Sequence, residues 1–591
     1  MGQKFNLLVK VLDHLASEAP ASYKTYHPDK NDKNGQIKSR SLAFIHLLLK
    51  VKFGLTDFSK RHEHITDGTQ DGGIDAYFID QENKIIYFIQ SKFRITSENF
   101  QQKSMDADDL IRMEVERITK GESTDSNGQK FNNKIELFQN KLRNIRDIAK
   151  YEYLVLFLGN VSRLNDNQIR RLIDNCPYEI IDSDRAYNSL VFPLSTGTFF
   201  DPDEIIIRLE LYQKDSPKLK QSINTDFGDY SVTVIFAPVK EIGRITSRYK
   251  NALLKFNPRN YLSLKKNQVN ASIRSSILEQ NKNNFALLNN GITIISDNVN
   301  ISESTGRQNE GQLIITKPQI INGGQTAYTL SEIYEEYISL SDDPLKGKEV
   351  LLKIITPLND PNTIDTDFVK LISNATNKQN EVSEADRRSN HDIQMFLQDM
   401  YFEEYGFFYE RKTGEFHDGI KQRFIDETKI VNRLDFIKAY KAYLGDPAAA
   451  RRSSEKILFR EDNFYEILHN KKKYHEMFFA HLIFRELENI EKNFNQKADS
   501  IKKYGYSLMY GKWAVIASIG ITKPIIQSEN DRIFSQVRDI VDSRLSNWKD
   551  FDEFVREKRS NTKYFIEGNT NYELYYKVNL LDEDVKEFFL K

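Results

Sequence analysis

The stretch Gly68-Thr69-Gln70-Asp71-Gly72-Gly73-Ile74-Asp75-Ala76, followed by Ile85-Ile86-Tyr87-Phe88-Ile89-Gln90-Ser91-Lys92-Phe93, decides how the N-terminal part of this chain is read. Five glycines and aspartates crowd into residues 67–73, which marks a sharp turn. Two apolar, aromatic runs follow, at 74–79 and 85–93, joined by Asp80-Gln81-Glu82-Asn83-Lys84. That is the pattern of a β-hairpin with a slightly long turn. Asp71 lies in the loop and Asp75 opens the first strand. Gln90 and Lys92 are two residues apart on the second strand, so the period of two puts them on one face, where Asp75 can sit opposite.

A carboxylate, a side-chain carbonyl and a lysine in one place suit phosphodiester hydrolysis. Oxygen ligands hold a hard cation such as Mg²⁺ or Mn²⁺, and the cation stabilises charge in the transition state. Asp75 and Gln90 are the expected metal ligands, and Asp75, Gln90, Lys92 and Asp71 the expected catalytic group. The plainer alternative is that Asp71 and Asp75 are turn and cap residues and Gln90 and Lys92 face solvent. A polar pair set directly after Tyr87-Phe88-Ile89 is unusual for such a face.

Outward from the hairpin, the periodicity predicts helices at 3–17, 40–53, 103–120, 133–150 and 166–174, and strands at 153–158, 204–211 and 230–236. Interleaved helices and strands favour an α/β domain ending near residue 200. The stretch 177–235 reads as the remaining sheet of that domain plus a connector. Further helices are expected at 326–337, 392–405 and 433–443. The apolar segment 515–526, broken by Gly520 and Pro524, reads as a buried turn.

The 591 residues exceed one ordinary domain. Hydrophobic residues are 39% and charged residues 29% of the chain, and 38 Phe and 29 Tyr supply material for sizeable cores. The formal net charge of -1 excludes a wholly basic nucleic-acid-coating protein, so any phosphate-binding surface must be local. One cysteine, Cys176, excludes a disulfide scaffold or a clustered-cysteine zinc site within one chain. No run of eighteen apolar residues reads as membrane-spanning. The N-terminus carries no signal-peptide stretch, and a cytoplasmic protein is expected.

Five polar clusters stand out in the middle of the chain: Phe256-Asn257-Pro258-Arg259-Asn260-Tyr261, Asn289-Asn290-Gly291-Ile292-Thr293, Gln319-Ile320-Ile321-Asn322-Gly323-Gly324-Gln325-Thr326, Asn374-Ala375-Thr376-Asn377-Lys378-Gln379-Asn380 and Asp386-Arg387-Arg388-Ser389-Asn390. Carboxamides present paired donors and acceptors that can read a base edge or a nucleotide. Gly323 and Gly324 ahead of a helix can form an anion-holding N-terminus. Asx-turns and helix caps are the alternative use of the same residues. Arg259, Asn290, Asn322, Gln325, Thr326, Asn377 and Gln379 are the candidate ligand-binding positions.

Two smaller motifs need weighing. Tyr26-His27-Pro28-Asp29 is similar to the loop tripeptide of J domains, but residues 20–26 leave little room for the basic helix such a domain needs, and a turn is the better reading. His62 and His64 flank Glu63 close before the hairpin, and alternation on a short extended segment, with one of them facing solvent, is a better reading than a metal site.

Two family resemblances follow. The segment from Gly68 to Ala76 with Gln90-Ser91-Lys92 resembles the Mrr-like branch of the PD-(D/E)xK nucleases, in which Gln replaces the usual acid before the lysine. The resemblance implies a restriction-endonuclease-like mixed sheet flanked by helices, with Asp75 as metal ligand, Gln90 at the substituted acidic position and Lys92 as catalytic lysine. Many members also carry a Glu on the first core helix. Residues 40–53 contain no acid, and Glu18 and Glu63 are the stand-ins.

The Asn-Asn-Gly-Ile-Thr, Asn-Gly-Gly-Gln-Thr and Ala-Thr-Asn-Lys-Gln-Asn segments resemble, in order, the AIPR (abortive-infection phage-resistance) family over about residues 245–460. Together the resemblances imply a nuclease domain at 1–200, a strand-containing connector at 201–244, a mixed α/β AIPR domain at 245–460 and a mainly helical region at 461–591. They imply an Mg²⁺- or Mn²⁺-dependent endonuclease acting on DNA in bacterial defence against phage. RNA stays open as substrate, a nucleotide or phage-derived molecule as trigger, and a homodimer as the form that cuts both strands. The alternative is a non-catalytic nucleic-acid or nucleotide sensor on a nuclease-like scaffold.

Overall fold

The computed structural model describes residues 2–590 apart from 82, 201, 203, 212–217, 255–256, 258–267, 279–281, 304–307, 339, 341–342, 359–371, 373–383, 390, 528 and 567–568. It divides into two compact units, residues 1–373 with 416–426, and residues 374–415 with 427–591.

The first unit opens with helices Gly2–Ser17 and Lys33–Phe53. The second starts well before residue 40, because Asp32 caps it by accepting from the Gly35 N–H at 2.9 Å; Gly54, at φ 67°, ends it. The hairpin forms as β1 (Ala76–Asp80) and β2 (Ile85–Ser91), antiparallel, with Ala76 opposite Ile89 and Tyr77 opposite Phe88. β3 (Glu152–Leu158) and β4 (Tyr178–Ile181) extend the sheet in parallel, giving the order β1-β2-β3-β4.

Alternation along these strands gives each face its own cover. Phe78 and Tyr87 meet Phe53 of the long helix, with ring centroids 4.2 and 4.8 Å away. Tyr77 and Phe88 meet Phe138 on the opposite side, from helix Asn133–Arg143. The mixed sheet flanked by helices is therefore as expected.

Helix Ser97–Gln102 is followed by two more short ones, Ala107–Ile111 and Val115–Thr119, in place of the single helix expected at 103–120. Asp106 starts the second with a capping box, and the Glu114 N–H is taken by the Gly72 carbonyl at 2.9 Å, which breaks the third away.

The strands after residue 200 correct the expectation for 177–235. β5 (Glu204–Glu210), β6 (Lys218–Thr225) and β7 (Gly228–Pro238) pair with nothing in the N-terminal sheet. With β8 (Ile292–Ile295), β9 (Asn298–Ser302), β10 (Glu310–Thr316), β11 (Gln319–Asn322) and β12 (Glu349–Pro357) they form two further sheets, β5-β10-β9 and β11-β8-β12-β7-β6. β5, β6 and β7 thus belong to the sheets of the middle region. β5 buries Ile205, Ile207 and Leu209 against Leu313 and Ile315 of β10, a partner about a hundred residues later.

The second unit is mainly helical. Helices Asp392–Tyr405, Arg433–Tyr443, Tyr474–Lys492, Lys512–Gly520 and Asn530–Ser546 enclose a core rich in Phe and Tyr. The segment read as a buried turn at 515–526 is for its first part a helix, buried all round from Ala514 to Gly520. An all-apolar helix shows no amphipathic period, so the pattern that identifies surface helices is absent from it. Pro524 lies beyond its end.

Candidate active site

The loop before β1 is held by its own backbone. Thr66 and Asp67 both donate N–H groups to the Asp75 carbonyl, at 2.9 and 3.0 Å, and Asp75 donates to the Ile89 carbonyl at 2.9 Å. Asp71 accepts from the N–H groups of Gly68 and Gly73, at 3.0 and 2.9 Å. Asn132 braces the loop from outside, donating to the carbonyls of Thr66 and Thr69. Gly73 is required at its position. Its φ is 69°, and a Cβ there would stand 2.5 Å from the Arg112 carbonyl oxygen.

This folding brings one carboxylate oxygen from each of Asp67, Asp71 and Asp75 within 4.8 Å of one another. Asp75 continues the β1 register opposite Gln90, so both side chains share the face of Tyr77 and Phe88. One Asp75 oxygen accepts from the Ser91 N–H at 2.6 Å. Burial pushes the Asp75 carboxyl up to about 8; the Ser91 N–H opposes the shift, the charges of Asp67 and Asp71 add to it, and Lys92 opposes it. Asp71 is raised too, chiefly by burial.

Gln90 is 8% exposed. Its amide donates to the Asp109 carbonyl at 2.6 Å, and its Oε1 has no hydrogen-bond partner among the described residues. A buried acceptor without a donor is costly. The Lys92 Nζ meets Asp109 Oδ1 at 2.8 Å. The three carboxylates make an all-oxygen donor set, with the buried Gln90 amide opposite Asp75 in the hairpin register, and such a set fits Mg²⁺ or Mn²⁺ rather than a soft metal.

The structure places Asp71, Asp75, Gln90 and Lys92 at one end of the β1–β2 pair. Two members were missed in the sequence. Asp67 is one residue before the quoted stretch and reads as an ordinary turn residue. Asp109 is seventeen residues past Lys92, on a helix whose packing no local pattern reveals. The stand-ins for a helix Glu are placed elsewhere: Glu18 pairs with Lys50 at 2.7 Å and with the buried Arg61, and Glu63 is exposed. The two histidines separate as well. His62 bonds the Tyr26 hydroxyl at 3.2 Å, while His64 packs on Tyr77 and Phe78.

In the middle region, Asn290, Asn322, Gln325 and Thr326 come to one end of the β8–β11 pair, at the start of helix Gly324–Tyr337. Asn289 donates to Thr326 Oγ1 at 3.2 Å and accepts from the Gly291 N–H at 2.9 Å; Asn322 accepts from the Gly323 N–H at 2.7 Å. Gly291 and Gly323 both have φ near 80°, and a Cβ on Gly323 would stand 2.7 Å from the Gly291 carbonyl. The two Gly-containing motifs are therefore packed back to back, with local Asx-type bonds. Arg259, Asn377 and Gln379 lie outside the described residues.

The fold and site define a two-unit protein whose N-terminal mixed sheet carries a carboxylate, amide and lysine cluster. Its remaining length identifies it further: residues 254–570, more than half of the chain, match the family model described as AIPR protein, and the chain belongs to that family of abortive-infection defence proteins. The match runs past residue 460 through most of the helical unit, and the Asp67–Asp109 cluster lies before it. No curated protein and no solved structure matches the chain. Among the described residues no helix is long and apolar enough to cross a membrane.

Proposed function

We propose that the N-terminal sheet is a restriction-endonuclease-like domain and that the protein is a divalent-metal-dependent endonuclease that cleaves DNA in defence against phage. The observation that carries this reading is Asp75 opposite Gln90 and beside Asp67 and Asp71, with Lys92 at the same strand end. Asp75, Gln90 and the loop carboxylates would hold Mg²⁺ or Mn²⁺, which would supply Lewis-acid stabilisation of the charge on a scissile phosphate. Lys92 donates to a non-bridging phosphate oxygen and offsets charge that grows in the transition state. Asn132 and the Asp71 bonds keep the loop fixed, so no ordering is needed when the cation binds.

The amide-rich end of the β8–β11 pair is the proposed recognition site, where carboxamides and glycine backbone take up a nucleotide or an invader-derived trigger. A homodimer supplies the second site for a double-strand cut. The test is incubation of purified protein with plasmid and phage DNA, and in parallel with RNA, in Mg²⁺ or Mn²⁺. Cleavage that falls at least about 100-fold in Lys92→Ala, with folding unchanged, is expected. Cation binding without cleavage of either nucleic acid, under any candidate trigger, would replace the nuclease reading by that of a sensor on a nuclease-like scaffold.

A further inference from the structure

The Lys92 ammonium acts on the Asp75 carboxylate, and it is already paired. Its Nζ lies 2.8 Å from Asp109 Oδ1, on the short helix Ala107–Ile111. Asp109 itself is not free to turn. Its N–H donates to Asp106 Oδ1 at 3.0 Å, and its Oδ2 accepts from the Asp106 N–H at 3.4 Å, which leaves Oδ1 for the lysine. The helix is anchored from both ends. The Met105 N–H donates to the Asn160 carbonyl at 2.7 Å, and the Arg112 carbonyl closes on Gly73. The same residue also orients Gln90. Because the Asp109 carbonyl takes the Gln90 NH₂, the amide must present Oε1 as its free acceptor.

We propose that Asp109 is a positioning residue that parks the Lys92 ammonium away from Asp75 and so keeps the carboxylate cluster open to a divalent cation. The inference rests on reading that cluster as the cation site. An ammonium is a small point charge on a flexible stem. Released from Asp109, it has Asp75 within electrostatic reach, and pairing there would fill the position a cation needs. Parking also leaves Lys92 at the site for a phosphate, instead of buried in the metal's own ligand shell. Groups that hold ligands or their neighbours in place in this way change metal affinity by about 10–100-fold when removed.

The experiment measures Mn²⁺ binding by electron paramagnetic resonance on the full chain, with no nucleic acid present. Asp109→Asn is expected to weaken binding about 10-fold. Asp109→Glu, which keeps the charge, is expected to retain most of it. Adding Lys92→Met to Asp109→Asn removes the competing ammonium and is expected to restore the affinity. The inference is overturned if Asp109→Asn binds like the wild type. It is equally overturned if the loss persists in the double variant, since helix damage alone is not rescued at Lys92. Asp75→Asn separates the two readings. If the wild type binds no Mn²⁺, or binds it regardless of Asp75, the cation reading itself falls and this inference with it. If binding needs Asp75 but ignores Asp109, only the inference falls.

Discussion

Asp75 sets the pH behaviour of the site. In the metal-free fold its carboxyl keeps its proton up to about pH 8, whereas an unfolded Asp loses it near 4. Between those values the folded state binds the extra proton, so stability is greatest at the acid end and falls as pH rises, with a slope of up to about 1.4 kcal/mol per pH unit. Above pH 8 the loss is complete. Asp71 contributes in the same direction. Chemical denaturation of the metal-free protein from pH 5 to 8 is expected to show this decline, and Asp75→Asn to flatten it and stabilise the protein at pH 8. A divalent cation reverses the balance, because it needs the ionised carboxylate and displaces the proton. Mn²⁺ affinity is therefore expected to rise with pH up to about 8, with proton release measurable by calorimetry in buffers of different ionisation enthalpy. A pH-independent affinity would remove Asp75 from the ligand set.

At the candidate site the placement of Asp75, Gln90 and Lys92 was legible in sequence because a hairpin fixes them, where register follows from the turn and period two from the strand, and Asp71 was legible from the glycine-rich turn that precedes it. Asp67 and Asp109 were not legible. Their roles depend on where a loop folds back and on how a five-residue helix docks, and neither leaves a periodic trace.

At the scale of elements, the readable pieces were those with a one-sided apolar pattern or a strong cap. Asp392–Tyr405 and Arg433–Tyr443 form at the expected residues. The element that was misread, Lys512–Gly520, is buried on every side, and the strands β5 to β7 were misplaced because a strand's own residues do not name its partner. Two glycines show what the packing of these elements demands. Gly520 lies against the Tyr443 carbonyl so closely that a Cβ would collide with backbone. Gly73 meets the Arg112 carbonyl and has positive φ as well. Alanine at either position is expected to cost about 1–3 kcal/mol through overpacking. The consequences differ in kind. Gly520→Ala should lower the melting temperature and leave Mn²⁺ binding unchanged. Gly73→Ala shifts the Asp71–Asp75 loop against the Asp109 helix and should lose Mn²⁺ binding as well. Equal binding in both variants would show that the loop is not held by that contact.

At the scale of the whole molecule, the first compact unit runs on past residue 200. The chain leaves the first unit after residue 373, returns for residues 416–426, and leaves again. The returning segment packs on the N-terminal elements: Phe416 meets Phe192 edge-on, Phe424 meets His14 edge-on with ring centroids 5.9 Å apart, and Gly197 lies directly against Asp418. Sequence patterns divided the chain into successive blocks because they are read in order, and a short insertion of one unit's chain into another is invisible to them. The excursion ties the two units covalently at three points, and residues 416–426 of the family-matched stretch belong to the first unit. A test follows from Phe424, which is 3% exposed. Truncating a buried Phe to Ala costs about 3–5 kcal/mol. Phe424→Ala is therefore expected to lower the unfolding transition that Mn²⁺ stabilises, although it stands more than three hundred residues from the hairpin. Calorimetry with and without Mn²⁺ identifies that transition, since a ligand raises only the unit that binds it. If Phe424→Ala leaves the Mn²⁺-sensitive transition in place, the N-terminal domain is self-sufficient, and its core ends where the linear reading placed it.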